Sequence, residues 1–137
     1  KIRKILSLGI DDKILVKLTD ENSTDYYIVD SPHSARHGVS YKELILYRYY
    51  GSKPQKLWSL GLYSDAVVGG CGDVECVKFT GIKTALLSYS IEKIYANTDD
   101  SYKGILLRIN FMDCEARKEK KDTIRFELDK NYITISE

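Results

Sequence analysis

Along much of this chain apolar residues fall at every second position, and that period constrains the fold more than any other feature. Residues two apart share one face of a β-strand, whereas a helix needs spacings of three and four. In "ILLRINF", Ile105, Leu107, Ile109 and Phe111 alternate with Leu106, Arg108 and Asn110. "TIRFEL" sets Ile124, Phe126 and Leu128 against Arg125 and Glu127, and "YITI" continues with Ile133 and Ile135. Upstream, Leu87, Tyr89 and Ile91 alternate with Ser88, Ser90 and Glu92. The turn-forming segments "ANTDDSYKG", "DCEARKEKKD" and "DKN" separate these runs, so the second half predicts a four-stranded meander with one wet face.

The first half carries the same period less cleanly. Residues 2–8 and "ILVKLT" predict an opening hairpin around "GIDDK". "DENSTD" is a second turn by composition, and "YYIVD" leaves it as a strand. "SPHSARHG", residues 31–38, reads as a loop because of Pro32 and Gly38. "SYKELILYRYYG" has Ser40 and Glu43 at capping-box spacing and Gly51 as a stop, which predicts one short helix over about residues 40–50. The letters from Leu44 to Tyr50 also suit a strand. "KLWSLGLYSD" reads as a strand with Trp58, Leu60 and Leu62 on one face, and Gly61 marks a bulge or a close backbone approach. About eight to ten short strands in one domain, residues 1–137, predict a mainly β protein. The expected form is an antiparallel β-sandwich or a small β-barrel, with that helix as a cap.

Charge excludes some functions. The net charge is +1 with both signs interspersed, so no broad basic face is implied for nucleic-acid phosphates. Residues 113–122 carry four basic and four acidic side chains, which cancel and read as a solvated hairpin tip. No apolar run is long enough to span a bilayer as a helix. "GGCG" lacks the Lys-Ser/Thr ending of a phosphate loop, and no carboxylate pair stands out for glycoside hydrolysis. "NST" at Asn22 fits a glycosylation sequon.

Three cysteines, Cys71, Cys76 and Cys114, cannot all pair within one chain. In an extended strand Cys71 and Cys76 would lie about 16 Å apart. A disulfide needs Cα atoms within about 7 Å. A Cys71–Cys76 bond therefore requires a reversed chain, which Gly70, Gly72 and Asp73 permit. So short a loop contributes about 2 kcal/mol in the chain-entropy model, enough to pin a loop. Cys114 is then the thiol left over, although a Cys71–Cys114 or Cys76–Cys114 bond stays open. Zinc would need Cys71, Cys76, Cys114 and His33 or His37, but no second tight pair of ligands exists. The chain starts at Lys1 and its only methionine is Met112, which suits an exported protein with its leader removed and suits a trimmed domain equally.

His33 and His37 in "HSARH" are four apart, but Pro32 and Gly38 flank them and no glutamate lies between as a general base. A hydrolase or metal enzyme built on this loop ranks last. Eleven tyrosines against three phenylalanines and one tryptophan are the outlier of composition. Tyr47, Arg48, Tyr49, Tyr50, Trp58 and Tyr63 fall close together and have the residue mix of a protein-binding hot spot. The sequence thus predicts a non-enzymatic domain that binds another protein. An exported inhibitor or immunity-type protein, secreted or periplasmic, is the form expected, as a monomer or small homo-oligomer without cofactor or metal. A barrel that binds a small ligand is the alternative.

Overall fold

The computed structural model describes residues 8–20, 22–34, 40–50, 53–63, 81–95, 102–129 and 132–136. Within them lie eight strands: β1 (Lys13–Thr19), β2 (Asp25–Ser34), β3 (Ser40–Tyr50), β4 (Lys53–Tyr63), β5 (Thr84–Tyr95), β6 (Tyr102–Asp113), β7 (Lys118–Asp129) and β8 (Tyr132–Ser136). They form one mainly antiparallel sheet in chain order, β1 to β8. The sheet is open, because β1 and β8 do not pair with each other. The four-stranded meander predicted from the second half is β5–β8. Of the predicted strand over residues 2–8, residues 2–7 lie outside the described residues, and Leu8 stands before β1 and in no strand.

Two expectations are corrected. Residues 40–50 form β3, and no helix exists among the described residues. β3 pairs with β2 from Ser40 to Tyr49 and with β4 from Tyr41 to Tyr50. It buries Leu44 and Leu46 at 0% exposure on one face and Ile45 at 5% on the other. A helix could bury only one stripe of this segment, and a capping box is worth only about 1 kcal/mol. The second correction is that β2 continues through Ser31–Ser34, so Pro32 and His33 lie in a strand rather than a loop. β1 reaches only as far as Asp30 along β2. Beyond that point, among the described residues, β2 is an edge, where a proline without an N–H is tolerated.

All neighbours are antiparallel except β4 and β5, which share a single parallel pair, Tyr63 with Ala85. A parallel pair needs a long crossover, about a dozen residues or more. The β4–β5 connection, residues 64–83, meets that need and contains "GGCGDVEC".

One apolar core serves both halves. Val16, Leu18, Tyr26, Ile28, Leu44, Leu46 and Leu62 of β1–β4 are packed in one cluster with Ile105, Leu107, Ile109, Ile124 and Phe126 of β6–β7. Trp58 of β4 meets Phe126 of β7 edge to face, with centroids 5.1 Å apart. In a flat sheet these strands would lie about 14 Å apart, so the sheet must coil to bring them together.

Carboxylates organise two of the turns. Asp20 accepts hydrogen bonds from the Asn22 and Thr24 amides at 2.8 and 2.9 Å and from the Tyr26 hydroxyl at 3.3 Å. Burial and the Asp20 charge push the Tyr26 hydroxyl above its usual pKa. In the β6–β7 turn Asp113 accepts from the Glu115 and Ala116 amides at 2.9 and 3.0 Å and pairs with Lys120 at 2.9 Å.

Two measurements test this framework. A Cβ at Gly104 would stand 2.4 Å from the Phe126 carbonyl oxygen of β7, a backbone atom that cannot step aside. Gly104→Ala should therefore destabilise the fold by roughly 1–3 kcal/mol in denaturant titration. An unchanged midpoint would show that β6 and β7 are not this close. The Ala116 amide, the Lys120 ammonium and the Glu115 amide hold the Asp113 carboxyl at about 2, below its ordinary 3.8. A lowered carboxyl stabilises the fold above its unfolded pKa, and that contribution is lost as pH falls through about 2. Asp113→Ala should lower Tm at neutral pH, with the deficit shrinking between pH 4 and 2, and the Asp113 carboxyl resonance should titrate near 2. Titration near 4 would contradict the turn geometry.

Candidate functional site

Strand period two places His33 of β2, Tyr41 and Glu43 of β3 and Gly61 of β4 on the sheet face opposite the core. The register aligns them in adjacent rows, His33–Tyr41–Tyr63 and Ser31–Glu43–Gly61. Gly61 leaves a gap in its row. Ile82, just before β5, fills part of it, its Cγ1 lying 3.3 Å from where a Cβ would stand. Thr84 Oγ1 donates to the Gly61 carbonyl at 3.4 Å. Gly61 thus marks a close approach, one of the two roles its position predicts. The result is a groove of about 320 Å3 lined by His33, Tyr41, Glu43, Gly61 and Ile82.

The groove is polar and wired. His33 stacks on Tyr41 with centroids 5.1 Å apart. Glu43 lies 3.8 Å from His33 Nε2 through one oxygen and 3.1 Å from Lys56 Nζ through the other. Further along the face, Ser31 Oγ donates to Asp12 at 2.8 Å. Its hydroxyl therefore serves a carboxylate. Burial pushes the Tyr47 hydroxyl up, opposed by Lys56 and aided by Glu43 and Asp12. Among the described residues no group of three or more His, Cys, Asp or Glu side chains is placed to hold a metal. His37 lies outside the described residues.

The predicted hot-spot residues divide between the two faces. Tyr47 and Tyr49 lie on the groove side, half-buried, packed against a cluster of Tyr27 and Val29. Arg48 alternates to the other face, and its Nη2 donates to Gln55. Trp58 also turns to the core side, against Phe126. Tyr63 is on the groove side but fully buried with Ala85, under Tyr41, Ile82, Met112 and Cys114. The Tyr50 backbone pairs with Lys53, and its side chain lies outside the described residues. Pairing across β3 and β4 therefore does not bring the rings together. Leu46 faces Trp58, Tyr47 faces Lys56 and Tyr49 faces Pro54. The helix reading of residues 40–50 hid Tyr41 and Glu43, whose odd parity with Tyr47 and Tyr49 becomes visible once the segment is a strand.

Cys114 is disulfide-bonded, which corrects its reading as a leftover thiol. The predicted pair, Cys71 and Cys76, lies outside the described residues. Three cysteines with one bond leave one thiol. Thiol counting on the denatured, unreduced chain should find one free group, and Cys114→Ser should abolish the bond that holds Cys114. Three free thiols in the wild type would overturn this assignment.

Among the described residues no helix is long and apolar enough to cross a membrane. Compared with protein-family models, curated proteins and solved structures, the chain matches none. The class it defines is a mainly β protein of one open sheet, eight-stranded among the described residues, with a polar, aromatic-walled groove on the face away from the core.

Proposed function

We propose that this is a non-enzymatic protein-binding domain of the inhibitor or immunity kind, which acts by covering its partner. The observation that carries the reading is the row of side chains on the groove side of β3. Tyr41, Glu43, Tyr47 and Tyr49 are each half-buried and spaced along a central strand hydrogen-bonded on both sides. A rigid row of amphipathic rings loses little entropy on binding, which is why tyrosines serve as contact anchors. The Cys114 disulfide supports an extracytoplasmic setting, secreted or periplasmic, because such bonds persist in oxidising compartments. The same reading takes the coiled sheet as a sandwich folded from one continuous sheet, supported by the core that both halves share.

The groove favours a second reading, a small-ligand site. Its volume of about 320 Å3 falls at the low end of the range for such sites. In this reading the ligand sits on the outer face of the sheet between His33, Tyr41 and Glu43, rather than inside a barrel.

Binding measurements separate the two. The intact protein is used as bait against the extracytoplasmic fraction of its own source, and the affinity of any stoichiometric partner is measured by calorimetry. Tyr47→Ala and Tyr49→Ala should each weaken that partner about tenfold or more, with circular dichroism unchanged. A partner indifferent to both changes sinks the proposal. A bound small molecule in native mass spectrometry, lost when Gly61→Leu fills the groove, would establish the second reading instead.

A further inference from the structure

The two end strands of the sheet order, β1 and β8, are built differently. Strand β1 carries a register irregularity between Ile14 and Val16 and exposes Lys13 and Lys17, both devices that deter further pairing. Strand β8 has neither. It pairs with β7 without irregularity, and the segment "YITIS" contains no charge, proline or glycine. Thr134, Ile135 and Ser136 are exposed, and Ile135 remains 36% accessible. Among the described residues nothing pairs with its outer edge.

The geometry points to a second copy of this chain as the occupant of that edge, through antiparallel β8–β8 pairing about a two-fold axis at Thr134. The segment is self-complementary about this point. Ile133 of one copy falls opposite Ile135 of the other, and Thr134 opposite Thr134. Ile133 and Ile135 face Leu128 and Phe126 across β7, so the paired isoleucines extend the core and cover the exposed side chain. Thr134 meets Thr134 on the other face, a favourable cross-strand pair. Charge allows the approach. Arg125 and Glu127, the exposed charges beside β8, neutralise each other at 3.5 Å. The two copies of Glu127 stand three strands apart, about 14 Å, beyond the screening length at physiological salt. A two-fold pairing is closed and stops at the dimer, whereas β8 adding to β1 would propagate into fibres. The irregular, lysine-bearing β1 edge opposes that alternative. So short a strand pair makes a weak dimer that forms with rising concentration.

Sedimentation of the full chain from micromolar to submillimolar concentration should show one step, monomer to dimer. Thr134→Lys places two like charges directly opposite and should weaken the dimer about tenfold or more. Thr134→Val should preserve it. Amides of β8 should gain hydrogen-exchange protection as concentration rises, which checks the interface without any substitution. A monomer throughout the range overturns the proposal. So does a dimer of unchanged affinity in Thr134→Lys, a ladder of higher oligomers, or a strand of another protein holding β8 in place of a second copy.

Discussion

Among the described residues, two four-stranded meanders are joined, in the hydrogen-bonded order of the sheet, by one residue pair, Tyr63 with Ala85. One ladder step is worth about 1 kcal/mol net and cannot by itself hold two halves together. What holds them is the core to which both contribute, from Leu44 and Leu46 on one side to Leu107 and Phe126 on the other, all at 0% exposure. Each such side chain stabilises the fold by about 1.5–3 kcal/mol when removed from water. Coiling follows from this, because a flat sheet would leave the same face wet. The open edges follow as well, since the core is covered by bending the sheet over and not by closing its strands into a ring.

That arrangement explains why the groove lies where it does. With the even positions of β3 committed to the core, its odd positions form a second surface on which the side chains can be polar. Near the β4–β5 corner, Gly61 supplies the gap and Ile82 the wall. Towards the other end of β3, Tyr27 and Val29 are buried under Leu8, Ile14, Tyr47 and Tyr49, so this face is itself partly a packed layer. A face that is half packed and half polar holds its aromatic rings in fixed positions. Such fixity is what a contact surface needs if ordering is not to consume its binding energy.

The clean alternation of Ile105–Phe111 and Ile124–Leu128 makes the second meander legible in the sequence, because its one wet face keeps the period visible. Strand β3 is illegible for the opposite reason. Leu44, Ile45 and Leu46 are buried consecutively on both faces, which erases period two and leaves Ser40 and Glu43 to suggest a helix. Pro32 misled in a similar way, since the edge that tolerates it exists only once β1 stops short. The parallel Tyr63–Ala85 step has no local signal at all. Of the site, Tyr47 and Tyr49 were visible as aromatics, but their separation from Arg48 and Trp58 depends on strand parity. Glu43 and Lys56 became a pair only through the β3–β4 register.

A shared apolar core is non-directional and would tolerate sliding of one half over the other. A polar seam supplies the direction. Lys42 of β3 bonds Asp30 of β2 at 3.1 Å, with side chains only 20% and 14% exposed, and lies over the Tyr89 ring of β5 at 5.7 Å. Burial and the Asp30 charge push the Tyr89 hydroxyl up, with Lys42 opposing. Lys42 is thus held from two halves at once, by a carboxylate on one and an aromatic face on the other. Sliding the halves apart would strip the ammonium from the ring, while Asp30 would keep its partner. Such a pair adds little net stability, because desolvation offsets most of its attraction. Its directional contribution is registry: this packing satisfies Asp30, Lys42 and Tyr89 together.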